Sequence, residues 1–128
     1  ITESNNLMNT NNLFPLTIFN VSFDDEVFDK FETFGPLLGV NYYSNDNKLM
    51  NKISSSNYSL VCYIYTKSKK FIDFSINLKF GSIGINTTKI QSPGSPTGGN
   101  DLSGIGREGG IWGFEEFLST VNYVKEKI

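Results

Sequence analysis

With 128 residues, 11 basic against 13 acidic side chains and a net charge of −2, the chain suffices for one domain and not for a multi-domain enzyme. It lacks the basic surplus that a nucleic-acid or anionic-membrane partner requires. It has no His and one Cys, Cys62, which excludes from this sequence an internal disulfide, a Cys-based zinc site and a Ser-His or Cys-His nucleophile pair.

A lone Cys fits an intracellular, reducing compartment, cytoplasmic or mitochondrial. No apolar run approaches the roughly 20 residues that span a bilayer, so a soluble protein with no membrane insertion is expected. The sequence opens on Ile1 rather than Met, and residue 1 is not expected to be the natural start.

Residues 1–12 are rich in Asn, Ser and Thr and read as a flexible lead-in to a folded segment, 13–128. Residues 16–21 form an apolar run of strand length, and 24–31 fit a turn or two of helix. Residues 37–43 are a second strand. A helix over 46–55 gathers Leu49, Met50 and Ile53 on one side, 60–66 is a buried strand, and a helix over 69–78 gathers Phe71, Phe74 and Leu78. A strand over 82–85 follows Gly81. The order is β-α-β-α-β. Helical crossovers between strands imply a parallel sheet covered on both faces, since each crossover returns along the sheet before the next strand begins. Residues 87–111, dense in Gly and with Pro93 and Pro96, read as a long loop, and loops of that length are commonly functional. A helix over 113–119 and a strand over 121–127 close the chain.

Three stretches carry more than periodicity. Glu32-Thr33-Phe34-Gly35-Pro36 precedes an apolar run, Gly81-Ser82-Ile83-Gly84-Ile85-Asn86 ends a strand in Asn, and residues 96–110 read P-T-G-G-N-D-L-S-G-I-G-R-E-G-G. Together they resemble the C-terminal part of an aldehyde dehydrogenase, whose usual forms are E-x-F-G-P, G-x-[IV]-x-[IV]-N and P-F-G-G-x-K-x-S-G-x-G-R-E. The resemblance extends from Leu16 to the end of the chain. It implies an α/β fold, a partial parallel sheet with crossover helices like the C-terminal half of the family's catalytic domain, plus the terminal oligomerisation strand.

By that resemblance Glu32 binds the ribose hydroxyls of a nicotinamide nucleotide and Phe34 flanks the nicotinamide ring. A carboxylate can accept two hydroxyl hydrogen bonds, and an apolar wall can orient a flat ring. Asn86, Thr97 and Gly98 fall at the substrate pocket, and Tyr123, Val124 and Ile128 in a strand that adds to a neighbouring subunit's sheet. No catalytic residue and no metal ligand falls on this sequence. The family's nucleophilic Cys and general-base Glu belong to a portion upstream of the match, and Cys62 does not align with that nucleophile. The sequence also departs from the pattern. Thr97 stands for Phe, Asp101 for Lys, Phe31 for Glu, Ser54 for Asn and Ser59 for Gly.

Simpler readings compete for several of these residues. Glu32 could be a surface carboxylate before a turn, and Phe34 a core aromatic. Gly104 to Gly109 fits G-x-G-x-x-G, but no strand precedes it, so a dinucleotide turn is not expected. Arg107 and Glu108 are better suited to pairing or to bonding the loop backbone than to holding phosphate. Asp24, Asp25, Glu26 and Asp29 read as a solvated acidic helix start, not a metal cluster.

Two functions remain. The first is a subunit that is non-catalytic by itself and acts structurally in a larger assembly, with protein partners or the rest of a parent chain covering its sheet and no cofactor on this chain alone. The second is part of a complete NAD(P)-dependent dehydrogenase that oxidises an aldehyde to a carboxylic acid. A free-standing nucleotide-binding module is a third, weaker possibility.

Overall fold

The computed structural model describes residues 14–23 and 30–127. The expected lead-in, most of the expected 24–31 helix with its acidic residues, and Ile128 lie outside the described residues. Contacts divide the chain into two units, residues 1–57 and 58–128.

In the first unit, β1 (Thr17–Asn20) pairs in parallel with β2 (Leu37–Val40), Thr17 opposite Leu37 and Asn20 opposite Val40. Gly35-Pro36 sets the entry to β2: the Thr17 amide donates to Pro36 O at 2.9 Å and the Leu37 amide to Gly35 O at 2.8 Å. Next comes α1 (Asp46–Ser54). It starts where the sequence provides a cap, because the Asn45 carboxamide accepts the Lys48 amide at 3.0 Å and Asp46 places a negative charge in the first turn. Leu49, Met50 and Ile53 are half-buried, as their spacing requires. Lys52, in the last turn, reaches back so that its ammonium donates to Phe23 O at 2.5 Å and lies 5.1 Å from the Phe23 ring centre.

In the second unit, β4 (Val61–Ile64) leads through α2 (Lys69–Ser75) to β5 (Ser82–Ile85), parallel to β4 with Val61 opposite Ser82 and Ile64 opposite Ile85. The parallel βαβ unit is thus as the periodicity indicates. Phe71 and Phe74 are half-buried and Leu78 is buried. The expected loop holds regular pairing of its own: β3 (Tyr58–Ser59), ahead of β4, pairs antiparallel with β6 (Asn100–Asp101) inside the loop, and Thr97 bridges Glu108.

The terminal helix differs from expectation. α3 spans Gly110–Glu115 rather than 113–119. It begins at a glycine pair with φ of 78° and 57°, whose left-handed backbone turns the chain into the helix, and the Gly110 amide is held by Pro93 O at 3.1 Å. Residues 121–127 are neither helix nor strand. A strand needs a ladder partner, and the described residues of this chain supply none for that segment.

Among the described residues the strands pair two by two in three separate sheets, and the parallel strands are largely apolar runs such as Val61-Cys62-Tyr63-Ile64. Such runs belong to parallel sheets covered on both faces. Yet Leu78 is the sole buried hydrophobic side chain among the described residues, while Phe34 is 92 % and Phe117 89 % exposed. Each large apolar side chain left in water forfeits about 1.5–3 kcal/mol. Cover for these exposed apolar side chains is not in this chain's described part.

Cys62 lies within β4, half-buried. Burial raises its thiol above the ordinary value of 9.0. Folding therefore retains this proton more tightly than the unfolded chain does. The resulting contribution to stability is whole below pH 9.0 and is lost as pH rises through the elevated folded value. Alkylation of Cys62 by iodoacetamide is accordingly expected to be slow at neutral pH and to accelerate only in the alkaline range, lagging a free-thiol peptide throughout. Rapid neutral alkylation would contradict the placement.

Candidate functional site

The parallel pair β4–β5 ends at Ile64 and Ile85, and in open α/β sheets ligands gather outside the carboxyl ends of the strands. There the sequence places Asn86. Its backbone is left-handed, with φ of 54°, a conformation Asn tolerates better than most residues. Its carboxamide grips the backbone of Thr66 from both sides, Oδ1 accepting the Thr66 amide at 2.8 Å and Nδ2 donating to Thr66 O at 2.9 Å. Asn86 thereby continues the ladder one step beyond the strands with its side chain and fixes the two strand ends together.

The glycine-rich loop that follows is closed at its base by Thr97 and Glu108, which exchange two backbone hydrogen bonds of 2.7 Å each. Within it, Arg107 acts as an internal post. Its guanidinium donates to Gly99 O at 2.8 Å, to Gly106 O at 2.7 Å and to Asn100 Oδ1 at 2.5 Å. This is the loop-bonding role expected for Arg107, and it uses the planar fork of donors that Lys lacks. Two further bonds dock the loop on its own unit: Asn100 Nδ2 donates to Lys79 O, and Ser103 Oγ accepts the amide of Ser59 at 2.8 Å.

The glycines here answer to close approach. A Cβ at Gly81 would fall 1.6 Å from Gly98 O, and one at Gly98 would fall 2.6 Å from Gly106 O. The loop lies directly on the backbone that leads into β5. Its outer side borders an open depression of about 500 Å³ lined by Thr97, Gly98, Gly99, Ile105, Arg107 and Glu116 among others.

Of the expected substrate-pocket residues, Thr97 and Gly98 line this depression, while Asn86 stands at the strand ends as a backbone clamp. Glu32 and Phe34 belong to the first unit, in the irregular stretch before β2, and both are exposed. Exposure of Phe34 removes the reading of it as a core aromatic within this chain. Tyr123 and Val124 are exposed in the irregular segment 121–127. No group of His, Cys, Asp and Glu able to hold a metal occurs among the described residues.

Sequence reasoning did not foresee that two of the departures meet. Ser59, where the resemblance expects Gly, is 2 % exposed, and its hydroxyl donates to Asp101 Oδ2 at 3.3 Å. Asp101, where Lys is expected, ends β6 and opens the turn that follows, accepting the Gly104 amide at 3.3 Å; it is exposed, with φ of 52°. Asp accommodates this backbone well, and the long hydrogen bond is a weak one. The charge reversal therefore sits on a turn with its own partner and leaves the Arg107 framework untouched.

The Aldehyde dehydrogenase family profile matches residues 2–123. The chain belongs to that family. Among aldehyde dehydrogenases with comparable sequences, the non-phosphorylating aspartate-semialdehyde dehydrogenase of Halomonas elongata is 34 % identical over 93 residues, which are 72 % of this chain and 19 % of that enzyme. The mitochondrial aldehyde dehydrogenase 2 of Saccharomyces cerevisiae is 33 % identical over 99 residues, 77 % of this chain and 19 % of its own length. Solved structures agree. The Mycobacterium tuberculosis enzyme complexed with NAD+ superposes with a TM-score of 0.66 at 34 % identity, covering 78 % of this chain and 21 % of that one. An E. coli NADP dependent enzyme gives 0.69 at 29 %, covering 84 % and 23 %. The chain thus spans about a fifth of the length of the aldehyde dehydrogenases it matches, and the α/β fold of its parallel strand pairs and helices is theirs. Among the described residues no helix is long and apolar enough to cross a membrane.

Proposed function

We propose that this chain serves as the C-terminal working portion of an NAD(P)-dependent aldehyde dehydrogenase that oxidises an aldehyde to a carboxylic acid. The observation that carries the reading is the glycine-rich loop. It is fully built around Arg107 and docked, through Ser59, Lys79 and Gly81, on the backbone that leads into β4 and β5. A loop of this kind, with Thr97 and Gly98 on its open side, suits the wall of an aldehyde pocket whose nucleophile and general base stand on the remainder of the enzyme. Cys62 is unsuited to that nucleophilic role, because burial keeps its thiol protonated.

Two residues fit the nucleotide. Glu32 offers an exposed carboxylate with two acceptor oxygens and no hydrogen bond among the described residues, and Phe34 presents an exposed flat apolar face. NAD(P)+, when bound, supplies the hydride acceptor. The protein's part is to hold the ribose diol at Glu32 and to orient the ring against Phe34. Tyr123, Val124 and Ile128 would add as a strand to a neighbouring subunit's sheet, which accounts for a segment, 121–127, that finds no ladder partner among the described residues. An intracellular, reducing compartment completes the reading.

The test is the initial rate of aldehyde-dependent NAD(P)+ reduction by the native protein. Replacement of Glu32 by Gln is expected to lower kcat/KM for the nucleotide about tenfold, the loss that accompanies one charge-assisted hydrogen bond of about 1.5 kcal/mol. An unchanged kcat/KM would remove Glu32 from the cofactor site.

A second reading, a non-catalytic subunit, is supported by Thr97, which leaves the pocket without the aromatic wall usual in the family. It requires that native preparations turn over no aldehyde and that Thr97→Phe combined with Asp101→Lys restores none.

A further inference from the structure

The turn ahead of the loop holds two Ser-Pro dipeptides, Ser92-Pro93 and Ser95-Pro96, and the structure treats their hydroxyls differently. Ser95 Oγ is engaged on both sides, accepting the Ser92 amide at 2.7 Å and donating to Ser92 O at 2.8 Å. The Ser95 amide also donates to Ser92 O at 3.0 Å. The side chain of Ser92, by contrast, is exposed and its Oγ makes no hydrogen bond among the described residues. The apex of the turn faces open space, since a Cβ at Gly94 would meet nothing within 4 Å. Proline at 93 fixes its own φ and biases Ser92 toward extended backbone, the conformation in which a peptide enters a kinase cleft.

We propose that Ser92 Oγ is a phosphoryl acceptor for a proline-directed serine/threonine kinase and that Ser95 is not. In the step, the bond from the γ-phosphorus of ATP to the ADP oxygen breaks, the bond to Ser92 Oγ forms, and the hydroxyl proton passes to the kinase's general base. The added dianion sits on a turn whose Pro93 O holds the Gly110 amide at the start of α3. The inference does not depend on the catalytic reading.

The experiment incubates the native protein with MgATP and a proline-directed kinase and maps phosphate by tandem mass spectrometry, beside a synthetic peptide of residues 88–97. The peptide, having lost the turn, is expected to be labelled at both serines. The folded protein is expected to be labelled at Ser92 alone, with labelling lost in Ser92→Ala and in Pro93→Ala. Labelling of Ser95 in the folded protein, labelling that survives Pro93→Ala, or failure of the protein or the peptide to accept phosphate overturns the proposal.

Discussion

Gly81→Ala is expected to destabilise the assembled protein by about 3 kcal/mol and to unseat the glycine-rich loop. The Cβ would be placed 1.6 Å from Gly98 O, 2.8 Å from its carbonyl carbon and 3.2 Å from Leu60 O. All three are backbone atoms. A flexible side chain could rotate away from the intrusion, whereas here two main-chain segments must separate. Relief by movement of residue 98 would pull at the Thr97–Glu108 bridge and at the carbonyl of the adjacent Gly99 that Arg107 holds. Thermal unfolding read together with amide exchange at residues 97–108 checks this. A substitution that lowers Tm only slightly and leaves loop exchange unchanged would show that the contact is looser than the structure has it.

Arg107→Ala should have the next largest effect, about 2–3 kcal/mol, through acceptors rather than volume. Three oxygens, Gly99 O, Gly106 O and Asn100 Oδ1, lose their donor in one change. Gly99 is buried, so water does not easily replace the lost bond at its carbonyl. The loop should then exchange amide protons faster throughout 97–108 while α1, in the other unit, is unaffected. Arg107→Lys is expected to rescue little, because an ammonium cannot reproduce the planar fork that spans these acceptors. Full rescue by Lys would mean that charge, and not geometry, organises the loop.

These two residues also show how far the sequence could be read. The regular elements were legible because their causes are local. The spacing of Leu49, Met50 and Ile53 marks α1, and the apolar runs read at 16–21, 37–43, 60–66 and 82–85 contain the parallel strands. The spacing of the motifs likewise pointed to the family and to Arg107 as a loop-bonding residue. What stayed hidden depends on long-range contact. The two-residue ladder of β3 with β6 exists only because the loop folds back onto Ser59. The start of α3 at Gly110 runs against glycine's poor helix propensity, and the reason lies outside the helix: the Gly110 amide is held by Pro93 O at 3.1 Å.

The departures from the family pattern illustrate the same limit. Taken one at a time, Asp101 is a charge reversal and Ser59 an added hydroxyl at a glycine position. The structure joins them by a hydrogen bond on a left-handed turn, so they read as a matched pair. Thr97 has no such compensation in the described residues. Its hydroxyethyl side chain borders the open depression, which makes it the position where this chain's pocket would differ most from its relatives'.

These strands and helices are shaped for cover that the described residues do not themselves provide. Calorimetry of the isolated chain at dilute concentration tests this most directly. Exposed Phe34, Ile105, Phe117, Tyr123 and Val124, with Leu78 as the lone buried apolar side chain among the described residues, predict a broad or absent heat-absorption peak and a tendency to associate. A self-sufficient domain of this length would instead unfold in one sharp transition absorbing about 0.7 kcal/mol per residue. A monomer showing that transition would contradict the claim.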